Sequence, residues 1–289
     1  MMRCDTRQWA RWTKTTLGRP VVAGVAALCA ATLCAAALLG PLRDFNSGRV
    51  EASELTAEQI LDRIEGTTML TGNGSATIEL ITENKRGQQR SNKLKVYRAK
   101  ASDGTEKQLL EYLSPADVAG TKLLSISGGK EESQIWLFMP ALGRERRIAG
   151  TETRSKFMGT DFTYEEISGG STYKSDYKAE KLKDETLDGR SCYVLRLTPQ
   201  DGGNYAFVKM WVWRDEFIPL KIEFYDKDGK VRKVLSNSDL KRNSKGKWDP
   251  STITMSDVVA GTKTIVKILE ASEDAVPDDY FTIRYLRRR

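Results

Sequence analysis

The sequence predicts a mainly β protein with a single antiparallel sheet. After Gly74 the chain consists almost entirely of short apolar or alternating runs, which are typical of strands. Hairpin-type pairs such as Asp103-Gly104, Asp188-Gly189 and Asp228-Gly229 separate these runs. No long helical pattern lies between them, which argues against a parallel α/β fold. No repeat of fixed length and no flexible linker divides the chain, so one folded domain is predicted.

The N-terminus carries an export signal. Residues 1–20 are basic, and Val21–Leu39 form a long apolar run that would be helical in a membrane. The run fits either a cleaved signal peptide, with Ala35–Ala37 as a small-residue cleavage site, or a retained anchor, and we favour cleavage. Residues 1–52 are therefore predicted to be a leader or membrane anchor, and residues 53–289 the domain.

The domain is predicted to begin with a short helix between Thr56 and Gly66. Thr56 is a favourable N-cap, and Gln59 stands three residues later, as a capping box requires. Three apolar residues of this segment fall on one side of the helix. Because so short a helix is marginal by itself, that side must pack against another part of the protein.

Thirteen strands are predicted from the runs that follow the helix. They cover residues 75–83, 91–100, 106–113, 121–128, 133–139, 144–149, 171–183, 190–198, 204–214, 218–226, 230–240, 247–257 and 261–272. After the last strand, the sequence PDDYFTIRYL (277–286) predicts a helical turn with Asp278 or Asp279 as its cap.

Two of the predicted strands are apolar on both faces. Leu94 and Val96 share a strand face whose opposite face carries lysines, the pattern of a half-solvated sheet. Residues 135–139 and 207–213 have apolar side chains on both faces instead. A sheet covered on one side would not need this pattern, so helices or a ligand are expected against the second face.

The charge of the domain does not indicate nucleic-acid binding. Of 46 Lys and Arg and 39 Asp and Glu, residues 1–49 hold seven and two, so 39 and 37 remain for residues 50–289. That part is nearly neutral, although four of its last six residues are arginines. A partner of the nucleic-acid class is not predicted.

The absence of histidine restricts the chemistry. Imidazole-based zinc sites, Ser–His and Cys–His pairs and histidine bases are excluded. Cys192 is the one cysteine outside the leader and sits in a strand-like run, which indicates a buried apolar role. Asp226 to Gly229 has too few ligands for a calcium loop and is interpreted as a turn. No metal, cofactor or enzymatic activity is predicted, and a carboxylate-based hydrolase is the remote alternative.

The most distinctive stretch is WLFMPALGRERRI (136–148) followed by KFMGTDFTYEE (156–166). Together with LEYLSPADVAGTKLL (110–124), it closely resembles the LolA-like family of periplasmic outer-membrane lipoprotein-sorting proteins. The resemblance implies a strongly curved, open half-barrel of the LolA/LolB type, with short helices plugging its concave face. It also implies a periplasmic, non-enzymatic carrier of lipid or lipoprotein acyl chains. An inner-membrane transporter and an outer-membrane acceptor are the partners that it implies.

The side chains predicted to contact lipid are apolar and lie in strands or in the distinctive stretch. They are Leu94, Val96, Trp136, Phe138, Phe157, Met158, Trp211 and Trp213. Ordinary core packing is the alternative for each, because aromatic residues dominate protein cores. Phe157 and Met158 lie in a segment without a strand pattern, 150–160, and are expected to form a mobile lid over the hollow.

Charged residues of the same stretch are predicted to form a network at the rim of the hollow. They are Arg144, Arg146, Arg147, Asp161 and Glu165. The arginines could bind a lipid head group, or pair with the two acids, and pairing is the more common outcome. The function predicted from all these features is a lipid carrier, and an anchored module that senses envelope lipids is the alternative.

Overall fold

A computed structural model describes residues 54–65, 73–128, 133–169, 173–200, 202–243 and 245–288. The predictions for the leader and its apolar helix lie outside these residues. Four short helices are present: α1 Ala57–Glu65, α2 Tyr164–Ile167, α3 Tyr173–Asp176 and α4 Ile283–Leu286. Three 3₁₀ turns cover Pro140–Leu142, Gly150–Arg154 and Asp278–Phe281. Among the described residues, no helix combines the length and apolar character needed to span a bilayer.

Thirteen antiparallel strands form one sheet. They are β1 Gly74–Glu83, β2 Gln89–Lys100, β3 Glu106–Ser114, β4 Lys122–Ser127, β5 Gln134–Met139, β6 Arg144–Ile148, β7 Tyr177–Leu187, β8 Arg190–Pro199, β9 Phe207–Trp213, β10 Pro219–Tyr225, β11 Val231–Arg242, β12 Trp248–Asp257 and β13 Thr262–Ser272. Their spatial order is β6-β5-β4-β3-β2-β1-β13-β12-β11-β10-β9-β8-β7. Strands that follow each other in the chain pair with each other, except β6 and β7, and β1 pairs with β13 at the centre. The sheet is not closed, because β6 and β7 are its two edges.

The mainly β fold with an open antiparallel sheet is confirmed, and the predicted strands agree closely with the observed ones. The predicted start of the seventh strand is wrong, because Tyr173–Asp176 is helical and β7 begins at Tyr177. Packing explains the difference: the rings of Tyr173 and Tyr177 lie 5.5 Å apart, and Lys174 pairs with Asp62 of α1. These contacts hold one helical turn against α1.

The sheet curves around a single large core. Leu94 of β2, Leu137 of β5, Leu195 of β8 and Met255 of β12 belong to one buried cluster, although many strands separate them in the sheet. A flat sheet could not bring these side chains together, so their common face is concave. We call it the concave face and the opposite one the outer face.

Helix α1 fills part of the concave face. Its apolar residues Ile60, Leu61 and Ile64 are buried in the large core, as the sequence pattern predicts. The predicted capping box is confirmed: the amide of Thr56 donates to Oε1 of Gln59 at 3.0 Å, and the amide of Gln59 donates to Oγ1 of Thr56 at 3.3 Å.

The C-terminal segment packs on the outer face. Phe281 and Leu286 are buried there against Leu109, Leu124 and Phe138 of strands β3 to β5. The cap predicted for this segment is wrong. Asp278 and Asp279 belong to a 3₁₀ turn, whereas the hydroxyl of Thr282 accepts the amide of Tyr285 at the start of α4.

Candidate functional site

The segment between the two edge strands crosses the concave face. We call residues 149–176 the crossover segment, of which 149–169 and 173–176 are described. It contains a 3₁₀ turn, a loop, α2 and α3. Phe157 of this loop is completely buried in the large core, where its ring packs 5.4 Å from Tyr164 and 6.2 Å from Tyr112. The crossover segment therefore occupies the position where a guest molecule would lie in the hollow.

The loop that carries Phe157 is a small hairpin. Lys156 bridges to Thr163, and the amide of Phe157 donates to the carbonyl of Phe162 at 2.8 Å. Between them Met158 and Gly159 have φ angles of 45° and 77°, as a tight hairpin turn requires. A methionine in the left-handed region is uncommon, because its Cβ crowds the backbone there. Met158 therefore has a sterically unfavourable backbone conformation, directly after the buried Phe157.

A charge cluster with two buried carboxylates joins this hairpin to β12 and β13. The ammonium of Lys156 lies 3.0 Å from Oδ1 of Asp161 and 3.0 Å from Oδ2 of Asp257. Both aspartates are buried. The hydroxyls of Thr262 and Thr264 donate to Asp161 at 2.6 and 3.0 Å. A buried carboxylate is tolerated when its oxygens are all engaged in this way.

The same cluster shifts two pKa values. Burial alone would raise the pKa of Asp257, but the amide of Ala260 and the ammonium of Lys156 outweigh it and lower that pKa below its ordinary 3.8. Burial opposes the charge of Lys156, yet its bonds to Asp257 and Asp161 raise its pKa above 10.5. Asp257 and Lys156 therefore carry their charges at neutral pH.

A second buried ion pair holds helix α2. Lys233 of β11 lies 3.1 Å from Oε2 of Glu166, and the hydroxyl of Tyr205 donates to Oε1 at 2.8 Å. Burial, and then the charge of Glu166, raises the pKa of Tyr205. Glu166 also completes a capping box with Thr163, which begins α2. One carboxylate thus starts the helix and ties it to the sheet.

A cavity of about 370 Å³ lies between the crossover segment and strands β7 to β12. Its volume falls within the roughly 300–1,000 Å³ of small-molecule sites. Charged and polar residues form part of its wall, together with seven aromatic and aliphatic side chains: Phe162, Tyr173, Tyr177, Tyr205, Phe224, Leu235 and Met255. A second cavity of about 510 Å³ lies beside β4 and β5. Three charged residues line both cavities: Arg154, Glu165 and Asp176. The two cavities thus flank α2 and share charged residues.

The eight predicted lipid-contact residues divide between the two faces. Leu94, Val96, Phe157 and Met158 belong to the concave core, Phe157 completely buried and Met158 partly. Trp136 and Phe138 lie on the outer face beside the C-terminal segment, and Trp211 and Trp213 lie in a separate outer cluster. None of the eight lines the 370 Å³ cavity. Their contact with lipid stays a prediction.

The predicted rim charges lie on β6 and on the crossover segment, and their assembly into one network stays a prediction. Arg146 pairs with Glu152, and Glu145 pairs with Arg287 of the C-terminal segment. Asp161 is held by Lys156 instead of by an arginine. Arg144 and Arg147 are exposed on edge strand β6. Glu165 lines both cavities, together with Arg154.

Sequence reasoning missed the residues that hold the crossover segment in place. Nothing in the local sequence marks the contacts of Lys156 with Asp257, of Lys233 with Glu166 or of Thr264 with Asp161, because these partners are distant in the chain. One signal was available: Thr163 and Glu166 have the spacing of a capping box, which marks the start of α2.

The described residues contain no group of three or more acidic, His or Cys side chains that could hold a metal ion.

Comparisons with known proteins agree with this fold. An outer membrane lipoprotein-sorting protein domain, as it is designated, from Vibrio parahaemolyticus is 26% identical, with a TM-score of 0.74 over 80% of this chain and 98% of that domain. A DUF1329 family protein from Desulfovibrio piger is 26% identical, with a TM-score of 0.73 over 80% of this chain and 97% of that protein. A LolA superfamily protein from Nitrosomonas europaea shares the fold at 22% identity, with a TM-score of 0.65 over 80% and 100% of the two chains.

The comparisons confirm the resemblance to LolA-like lipoprotein-sorting proteins that the sequence motifs indicate. A family model described as "uncharacterized protein" matches residues 104–288. No curated protein matches the chain.

Replacing Phe157 by alanine should destabilise the protein by about 3–5 kcal/mol, the usual cost of removing a buried Phe side chain. The measurement is the free energy of unfolding in urea. Leu269→Ala is the control, because Leu269 is exposed on β13, and it should change stability by less than about 0.5 kcal/mol. A loss below about 1 kcal/mol for Phe157→Ala would mean that this side chain is not part of the packed core.

The lowered pKa of Asp257 predicts a pH dependence of stability. The unfolded chain binds a proton at Asp257 more readily than the folded protein, so this contribution is present above the ordinary pKa of 3.8 and is lost as the pH falls through the lowered value. Asp257→Asn should therefore lower stability at neutral pH and flatten its decline below about pH 5. Unfolding free energies at several pH values check this, and parallel profiles for wild type and variant would contradict it.

Proposed function

The chain belongs to the family whose model matches residues 104–288, and on that premise we propose that it is a non-enzymatic carrier of lipid or lipoprotein acyl chains. The cargo binds in the hollow of the open sheet. The observation that carries this proposal is the 370 Å³ cavity, which has aromatic and aliphatic side chains in its wall and charged residues where it meets the second cavity. Such a site suits a hydrocarbon chain with a polar end.

Binding requires the protein to exchange its own contacts for contacts with cargo. The crossover segment and α1 already bury apolar side chains against the concave face. Each methylene of an acyl chain that leaves water contributes about 0.8 kcal/mol, so a long chain can replace part of that packing. A carrier must also release its cargo, which is easier when the displaced segment can return to the same face.

The leader and the relatives support a location outside the cytoplasm. The basic segment and apolar run of residues 1–39 are those of an exported protein. The Vibrio parahaemolyticus structure is designated an outer membrane lipoprotein-sorting protein domain. We therefore place this carrier in the periplasm, where an inner-membrane transporter would load it and an outer-membrane acceptor would unload it.

The filled hollow also suits the alternative function. Because Phe157 and α1 occupy much of the concave face, the fold could act as an anchored module that senses a lipid instead of carrying one. The two functions differ in occupancy: a carrier purified from its own cells retains lipid, whereas a sensor binds it only transiently.

Leu235→Trp should weaken the uptake of a fluorescent fatty acid several-fold. Leu235 of β11 lines the cavity, and an indole ring there would fill space that the acyl chain needs. Leu240→Trp is the matched control, because Leu240 lies on the same strand but packs in the outer cluster. Probe titration of the full chain and its two variants gives the affinities, and urea unfolding shows that each variant remains folded.

Equal affinities for the two variants would show that the cavity is not where the probe binds. No probe uptake by the wild-type protein, together with no lipid in an extract of the protein from its own cells, would contradict the carrier and favour the sensing module.

A further inference from the structure

Exposed apolar side chains concentrate at one edge of the sheet. Among the described residues, five large hydrophobic side chains are exposed. Four of them, Leu113, Leu142, Val258 and Val259, are 46–64% exposed and lie at the strand ends and turns of the same edge. We call this edge, formed by turns 84–87, 115–121, 140–143 and 258–261, the hairpin edge. The fifth, Leu269, lies within β13 away from this edge.

Neighbouring turns of the hairpin edge touch each other. A Cβ placed on Gly261 would lie 3.7 Å from the Cβ of Lys85, so the turn after β12 contacts the turn after β1. A Cβ placed on Gly120 would lie 3.1 Å from Cγ of Pro140, so the turns after β3 and β5 are also in contact. The exposed side chains therefore belong to adjoining turns and not to isolated positions.

The hairpin edge has an excess of positive charge. Lys85, Arg86 and Arg144 are exposed there, and none of them forms an ion pair with a described residue. The acids at or beside these four turns are engaged instead. Their charged partners are Lys263 for Glu83, Arg90 for Asp117, Arg287 for Glu145 and Lys156 for Asp257.

The opposite edge of the sheet lacks this apolar exposure. Its turns carry the exposed acids Asp103, Asp188 and Asp215 and the exposed bases Lys245 and Lys247, and none of the five exposed large hydrophobic side chains lies in these turns. Apolar exposure and unpaired positive charge thus coincide at one edge alone among the described residues. Chance placement of surface residues would not separate the edges in this way.

We propose that the hairpin edge docks on the surface of an anionic phospholipid bilayer. Val258, Val259 and Leu142 enter the interfacial layer, while Lys85, Arg86 and Arg144 contact lipid phosphates. Short apolar tips beside basic ones match a surface where hydrocarbon lies just below a layer of phosphate. The core of a protein–protein interface is depleted of charged residues, whereas these apolar side chains alternate with charged ones.

This inference goes beyond the carrier function and does not depend on it, because docking uses none of the residues that line the 370 Å³ cavity. Docking would place the hairpin edge, and with it the small cavity between this edge and Lys156, against the membrane.

The test uses the full chain with an environment-sensitive fluorophore on one exposed cysteine. Cys4, Cys29 and Cys34 of the leader are replaced by serine, and the buried Cys192 is retained. The fluorophore is attached through Val259→Cys or, as the matched control, through Leu269→Cys, since both side chains are exposed. Each labelled protein is mixed with vesicles of phosphatidylcholine, or of phosphatidylcholine with phosphatidylglycerol, containing a spin-labelled quencher lipid. Comparison of two sites in one chain removes any contribution of the leader to vesicle binding.

With vesicles that contain phosphatidylglycerol, the label at position 259 should show a blue shift and quenching. Both signals should be several-fold weaker with phosphatidylcholine alone. The label at position 269 should show neither a blue shift nor quenching. Lys85→Glu with Arg86→Glu should reduce the quenching at position 259 several-fold, whereas Lys241→Glu with Lys247→Glu near the opposite edge should not. Added salt should also reduce it. Equal signals at the two positions, equal signals with both lipids, or no signal at position 259 would each overturn the proposal.

Discussion

The pairing of Lys156 with two buried aspartates, Asp161 and Asp257, determines how the open sheet is filled. An open antiparallel sheet with a hydrophobic concave face must cover that face, and here the chain covers it with its own crossover segment. The hairpin of this segment can lie inside only because its charges are neutralised there. Thr262 and Thr264 satisfy the remaining oxygens of Asp161, and Glu166 with Lys233 holds the adjoining helix in the same way.

This arrangement connects stability with function. Phe157 and the concave core supply apolar packing that resists opening, whereas the cavities on either side of α2 leave that packing incomplete. In the proposed carrier, a lipid that enters the cavity would bury its hydrocarbon without unfolding the sheet, because the backbone ladder from β1 to β13 would not take part. The packing of the crossover segment would then decide whether cargo enters.

The sheet could be predicted from sequence because its signals are local. Turn pairs such as Asp188-Gly189 and the alternation within each strand fixed the strand limits to within a few residues. The site could not be predicted in the same way, because its contacts are long-range: Lys156 meets Asp257 across about a hundred residues. The sequence shows that Trp211 and Val212 face opposite ways, but not which of them faces the hollow, and the outer cluster holds Trp211. Phe157 lies in a segment without a strand pattern, so the sequence alone suggests a mobile loop. Its complete burial is seen only in the folded structure.

The most direct test of the account is to locate bound lipid on the folded protein. A photoreactive fatty acid can be added to the full chain and activated by light, and the modified residues can then be mapped by mass spectrometry of peptides. We expect the adducts on residues that line the cavity, such as Tyr173, Tyr205, Phe224 and Met255. Adducts confined to the outer face, or an unmodified cavity wall at saturating fatty acid, would contradict lipid binding in the hollow.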